Sequence, residues 1–239
     1  MAKLVQKSGY IKSGKASGYM RYIATREGVE KLAGNGAVTK GQRELIQKLL
    51  TDFPDAVELF EYEDYCKTPT LGTASAFISM ALDANFHEMD SESGYMQYIA
   101  TRPRVQKRGA HGLFSSATAV DLTSAMSELE AHEGNVWTII YSLRREDAAR
   151  LEYNNADAWR ALLMENAPTL AKSMKISLDN FHWCAAFHDE GHHPHIHMMV
   201  WSDDPKEGFL TKDGIAAMRS KLTNAIFRDE MQQIYERKD

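Results

Sequence analysis

The sequence predicts an α+β fold, an antiparallel β-sheet covered by helices and carrying a helical insertion, and three observations lead there. The runs FHWCAAFH (181–188) and HIHMMVW (195–201) are apolar and β-rich, and the turn-prone stretch Asp189 to Pro194 joins them, so they read as a hairpin. VWTIIYSL (136–143) reads as another buried strand. The intervals between strands carry helical periodicity, which suits helices packed on a sheet.

In chain order, residues 3–12 read as a first strand and 18–32 as a helix. A Gly-rich break at 34–41 precedes helical stretches near 42–51, 54–65 and 73–86. A helix over 94–102 is ended early by Pro103, and a short strand lies near 111–115. A helix at 118–132 leads to strand 136–143, and helical segments from 145 to 175 lead to the hairpin. An amphipathic helix from Thr211 to near Arg237 closes the chain. The expectation is one domain over 1–239 with a helical insertion at about 34–90.

The 239 residues can bury a sizeable core, and 44% hydrophobic with 26% charged residues is ordinary for a globular protein. No run is long enough to span a membrane, and MAKLVQKSGYIK lacks the apolar core of a signal peptide, so a cytoplasmic protein without membrane insertion is expected. Cys66 and Cys184 are far apart and read as reduced, Cys184 as a core residue. The net charge of −5 does not advertise nucleic-acid binding, but its distribution is uneven. Arg102, Arg104, Lys107, Arg108 and His111 occur without a carboxylate, whereas Asp52 to Asp64 holds six carboxylates and no cation. A basic face can therefore coexist with an acidic lobe.

An internal repeat adds chemistry. SGYMRYIATREGV at 17–29 recurs as SGYMQYIATRPRV at 93–105, identical at ten of thirteen positions. Two copies 76 residues apart are no solenoid. Each copy reads as a capped helix start, with Tyr19 and Tyr22, or Tyr95 and Tyr98, three apart on one face. A phenol can act as a nucleophile, but at its ordinary pKa of about 10 it needs a metal, a cation or a base beside it.

The histidines supply a candidate for that help. His195 and His197 are two apart on a strand, so both imidazoles face one side. A hairpin would set His188 across from them, and three neutral imidazoles could then hold one divalent cation with coordination positions left open. Open positions indicate a catalytic rather than a structural metal. His192 and His193 read as members of a polar turn.

The histidine motif FHDEGHHPHIHMMV and the upstream YIAT tyrosine resemble the HUH endonucleases, specifically plasmid mobilisation relaxases of the MobP class and its MobL-type branch. The resemblance covers essentially the whole chain, and it implies a sheet with the two histidines of HIH on a central strand. It implies site- and strand-specific nicking and rejoining of single-stranded DNA at a plasmid origin of transfer, through a 5′-phosphotyrosine, for conjugative mobilisation. It also implies relaxosome accessory proteins and a coupling protein as partners. The family's metal triad falls on His188, His195 and His197, with Mg²⁺ or Mn²⁺ expected and Zn²⁺ compatible with three imidazoles. Asp189 and Glu190 occupy the stretch where the family places an acidic residue that orients a histidine or moves a proton.

The family's tyrosine pattern matches twice. Tyr22 follows the first strand closely, as the family tyrosine does, whereas Tyr98 precedes His195 by 97 residues, near the usual separation, and runs into the basic stretch. The second argument favours Tyr98 as nucleophile, with Tyr22 the alternative or a second tyrosine for strand transfer. Tyr19 and Tyr95 read as packing or base-stacking residues. Arg26, Arg102, Arg104, Lys107, Arg108, Arg144 and Arg145 are the candidate backbone contacts.

A competing reading takes His193, His195 and His197 as the alternating motif of a histidine-triad nucleotide hydrolase or transferase, whose middle histidine is the nucleophile and needs no metal. It leaves His188 and the repeated tyrosines without a role. A binding module with a structural metal is the third reading.

Overall fold

A computed structural model describes residues 3–10, 35–85, 96, 99, 100, 105–107, 109–117, 119–189 and 193–228. The chain divides into two compact units, Gly9–Ser91 and the combination of Met1–Ser8 with Glu92–Asp239. The described residues contain five strands and seven α-helices, which bears out the α+β class.

The strands β1 (Val5–Tyr10), β2 (Leu113–Ser115), β3 (Trp137–Ser142), β4 (Phe181–His188) and β5 (His195–Ser202) form one sheet in the order β1-β3-β5-β4-β2. β5 pairs antiparallel with both β3 and β4, and β2 pairs antiparallel with β4. Every residue of β5 is buried, so it is covered on both faces and its side chains sort by parity. Ile196, Met198 and Val200 join Ile139 and Tyr141 of β3 and Trp183, Ala185 and Phe187 of β4 in the main core. The opposite parity carries His195, His197, Met199 and Trp201.

Two helices complete that core. Helix α6 (Ala156–Ser173) contributes Trp159, Leu162, Leu163 and Leu170, and α7 (Lys212–Ile226) contributes Met218, Leu222 and Ile226. The two helices pack on each other, and α6 also contacts β4. Both are capped at their first turn, α6 by Asn155 accepting from Ala158 N and α7 by Thr211 accepting from Gly214 N. The Trp159 indole donates to Tyr153 O at 2.9 Å, which satisfies the one polar group of the largest core side chain.

The Gly9–Ser91 unit contains α1 (Lys40–Asp52), α2 (Phe60–Lys67) and α3 (Leu71–Asn85), with α3 packed on the other two. Thr39 and Gln42 form a reciprocal capping box that starts α1. The single helix expected over 54–65 is instead a 3₁₀ segment, Pro54–Glu58, followed by α2. Leu59 breaks it by taking an extended backbone (φ −69°, ψ 142°), and its side chain is buried.

One other boundary differs from expectation. The helix expected over 118–132 is shorter, α4 (Leu122–Glu130), because Asp121 caps it by accepting from Ser124 N. The helical segments expected over 145–175 are α5 (Arg145–Arg150) and α6, separated by Glu152 in the left-handed region (φ 63°). The repeat helix expected at 18–32 and the tail beyond 228 lie outside the described residues. No described helix is long and apolar enough to cross a membrane.

Candidate metal centre

Strand parity and hairpin register bring three histidines together. His188 on β4 lies opposite His195 on β5, and Ala186 lies opposite His197, so the three imidazoles project from one face. Their ring centroids are 5.3 Å apart for His188 and His195, 4.7 Å for His188 and His197, and 5.1 Å for His195 and His197. One ligand nitrogen from each lies within 4.8 Å of the other two. All three rings are at most 1% exposed.

Two backbone carbonyls set the tautomers. His188 Nε2 lies 2.8 Å from Ile99 O, and His195 Nδ1 lies 3.0 Å from His193 O. A carbonyl oxygen only accepts, so both ring nitrogens are N–H donors. In the neutral rings the lone pairs then sit on His188 Nδ1 and His195 Nε2. Carbonyl-oriented imidazoles of this kind are the usual support of metal-binding histidines. The donor set therefore fits a divalent cation: three buried imidazoles, two with fixed tautomers, and no protein carboxylate in the group.

The Ile99 carbonyl comes from the second copy of the tyrosine repeat. Met96, Ile99 and Ala100 are helical and fully buried. The segment that follows is tied to β4, because Val105 forms a bridge with His188 and Gln106 N donates to Phe187 O at 2.9 Å. Gly112 closes the loop by donating to Ala100 O at 2.8 Å. That approach requires glycine, since a Cβ at 112 would stand 2.1 Å from Val105 Cγ2 and 3.1 Å from Gln106 O.

The remaining expected site residues fall as follows. Asp189 is exposed and accepts from Arg145 Nη2 at 2.6 Å, so these two candidates are paired beside the strand end that bears His188. Arg144 is the N-cap residue of α5 and is half-buried, and Lys107 is exposed. Tyr19, Tyr22, Arg26, Tyr95, Tyr98, Arg102, Arg104, Arg108 and Glu190 lie outside the described residues. His193 is buried but stands apart from the triad, to which it contributes a backbone carbonyl.

A second group on the same sheet face consists of Glu128, His182 and Asp203. His182 Nε2 is 2.7 Å from Asp203 Oδ2, the His182 ring stacks on Trp201, and the Trp201 indole donates to Glu128. These side chains are solvent-accessible and satisfy one another, as in a surface polar network.

Sequence reasoning passed over Ser142, opposite His195 on β3, and the two orienting carbonyls. Ser142 could have been noticed as a small hydroxyl residue at the end of a mostly apolar strand. Backbone acceptors leave no trace in residue identity.

No curated protein and no solved structure matches the chain. A sequence profile described as MobL relaxases matches residues 1–239, the whole chain. With a histidine-bearing antiparallel sheet and a full-length family match, the chain belongs to the MobL relaxase family.

Proposed function

We propose that the protein nicks and rejoins one strand of DNA at a plasmid origin of transfer, with His188, His195 and His197 holding a divalent cation and Tyr98 as the nucleophile. One observation carries the proposal: the carbonyl of Ile99, the residue after Tyr98, bonds to a ring of the triad. Ile99 therefore lies against the histidines, and Tyr98 is its neighbour in the chain, one Cα step of about 3.8 Å away. That contact supports Tyr98 as the tyrosine of the first transesterification.

In this reading the cation supplies Lewis acidity toward a phosphate oxygen. The tyrosine oxygen forms a bond to phosphorus, the bond to the 3′ oxygen breaks, and the tyrosine's proton is ultimately matched by one delivered to that leaving oxygen. Phosphodiester is exchanged for phosphodiester, so the reverse reaction rejoins the strand without an external energy source. Glu190 is the candidate proton carrier, because its neighbour Asp189 is engaged with Arg145. Arg145 and Lys107 are the described candidates for phosphate contacts, with Arg144 beside them. Tyr19, Tyr95, Arg26, Arg102, Arg104 and Arg108 keep their proposed roles in stacking and backbone contact.

Mg²⁺ or Mn²⁺ as the ion, single-stranded origin DNA as substrate, accessory and coupling proteins as partners and a cytoplasmic location belong to the same proposal. So does a single relaxase domain interrupted by a helical insertion.

The test is to incubate the protein with origin-region oligonucleotides and Mn²⁺ and to map the covalent peptide by mass spectrometry. Adduct on the peptide containing Tyr98, lost in Tyr98→Phe and kept in Tyr22→Phe, is expected. An adduct that persists in the double variant Tyr22→Phe/Tyr98→Phe would rule out both tyrosines as the nucleophile.

A further inference from the structure

Ser142 is buried to 1% exposure, and its Oγ has no hydrogen-bond partner among the described residues. A buried hydroxyl in that condition is uncommon, because the large majority of buried polar side chains have a hydrogen-bond partner. Its position is informative. Ser142 is paired with His195 across β3 and β5, so both side chains leave the same sheet face. Leu143 N donates to Pro194 O at 3.2 Å, which makes the adjoining pair hydrogen-bonded. Bonded and non-bonded pairs alternate in an antiparallel ladder, so Ser142 and His195 form a non-hydrogen-bonded pair, the kind whose side chains approach most closely. The phenol of Tyr141 is also buried without a partner, but it points into the core on the opposite face.

We propose that Ser142 is a positioning residue of the metal centre, its hydroxyl holding a non-protein oxygen ligand, water or a phosphodiester oxygen, that completes the coordination left open by the triad. The inference rests on the proposed function, since it needs a cation at the histidines. Ser142 contributes nothing to the metal-free fold and acquires a partner only when the site is loaded.

The experiment compares the full chain with Ser142→Ala and His195→Ala. Mn²⁺ affinity is measured by calorimetry, alone and with dimethyl phosphate as a phosphodiester probe, and thermal unfolding is measured without metal. For Ser142→Ala, metal-free stability equal to or above that of the parent is expected, together with Mn²⁺ affinity lowered roughly threefold to tenfold. A deficit in both titrations identifies water as the partner, and a deficit only with dimethyl phosphate identifies a phosphate oxygen. Unchanged affinity in both titrations, or loss of metal-free stability, overturns the role of Ser142 while leaving the triad intact. Failure of the parent to bind Mn²⁺, or binding unaltered in His195→Ala, overturns the metal centre and Ser142 with it.

Discussion

Gly112→Ala tests whether the second repeat must close onto the histidine face for the protein to work. The new Cβ would stand 2.1 Å from Val105 Cγ2, whereas carbon atoms in contact settle at about 3.5–4.0 Å, so at least ~1.4 Å of movement is required. Val105 is bridged to His188, and its neighbour Gln106 is bonded to Phe187, so the displacement falls on the segment that carries Ile99 O to His188. A shift of that size would stretch the 2.8 Å bond between His188 and Ile99 beyond hydrogen-bonding range. Overpacking of this kind costs about 1–3 kcal/mol, to be read from urea unfolding. The rate of covalent adduct formation should fall by about 100-fold, as expected for a misplacement of roughly 1 Å at a reacting centre. Adding Val105→Ala removes the clashing methyl and leaves contacts of 3.1 and 3.2 Å, which a few tenths of an ångström relieve. The double variant should therefore regain most of the adduct rate, a strongly non-additive result. A Gly112→Ala protein that reacts at the parental rate, or a double variant no faster than the single one, would refute the reasoning.

Mn²⁺ at a hundred times its Kd should stabilise the parent by about 2.7 kcal/mol, raising Tm by roughly 5–11 °C for a chain of this size. In His197→Ala, a hundredfold loss of affinity would reduce the same shift to about 1–2 °C, and a shift matching the parent's would remove His197 from the centre. Burial pushes the Cys184 thiol well above its ordinary value while Cys66 is exposed, so iodoacetamide should label Cys66 alone in the native protein and both after denaturation. Rapid native labelling of Cys184 would mean that its strand opens readily. The Glu207 carboxyl is held below its usual range by the hydroxyl of Ser202, then by Asn180 and Ser177. A depressed native value means that its stabilisation is present above the unfolded carboxyl range and is lost as pH falls through the native value. Glu207→Gln should accordingly flatten part of the acid limb of stability measured in urea between pH 6 and 3, and an unchanged limb would show that the bonds carry no net stabilisation.

Much of the sheet was readable from residue order. Alternation of apolar and histidine positions announced β4 and β5, and the long apolar run announced β3, because side-chain parity in a strand is a local property. Helix boundaries were less legible. The break at Leu59 depends on a backbone conformation that no breaker residue signals. Leu59 is a good helix former, but it is driven into the core of its own unit, and tertiary burial overrides propensity there.

For the site, the sequence by itself determined which histidines could share a face, since two-residue spacing and a hairpin leave little freedom. It also determined family membership, because the resemblance spans the whole chain. Only the tertiary structure decided the hairpin register that sets His188 opposite His195, and the carbonyls that hold those two rings. It alone brought the second repeat's backbone to β4 and Ser142 beside His195. The physical reason is one of range. Parity and propensity act between neighbours in sequence, whereas register, backbone acceptors and the closure at Gly112 join residues far apart in the chain through packing.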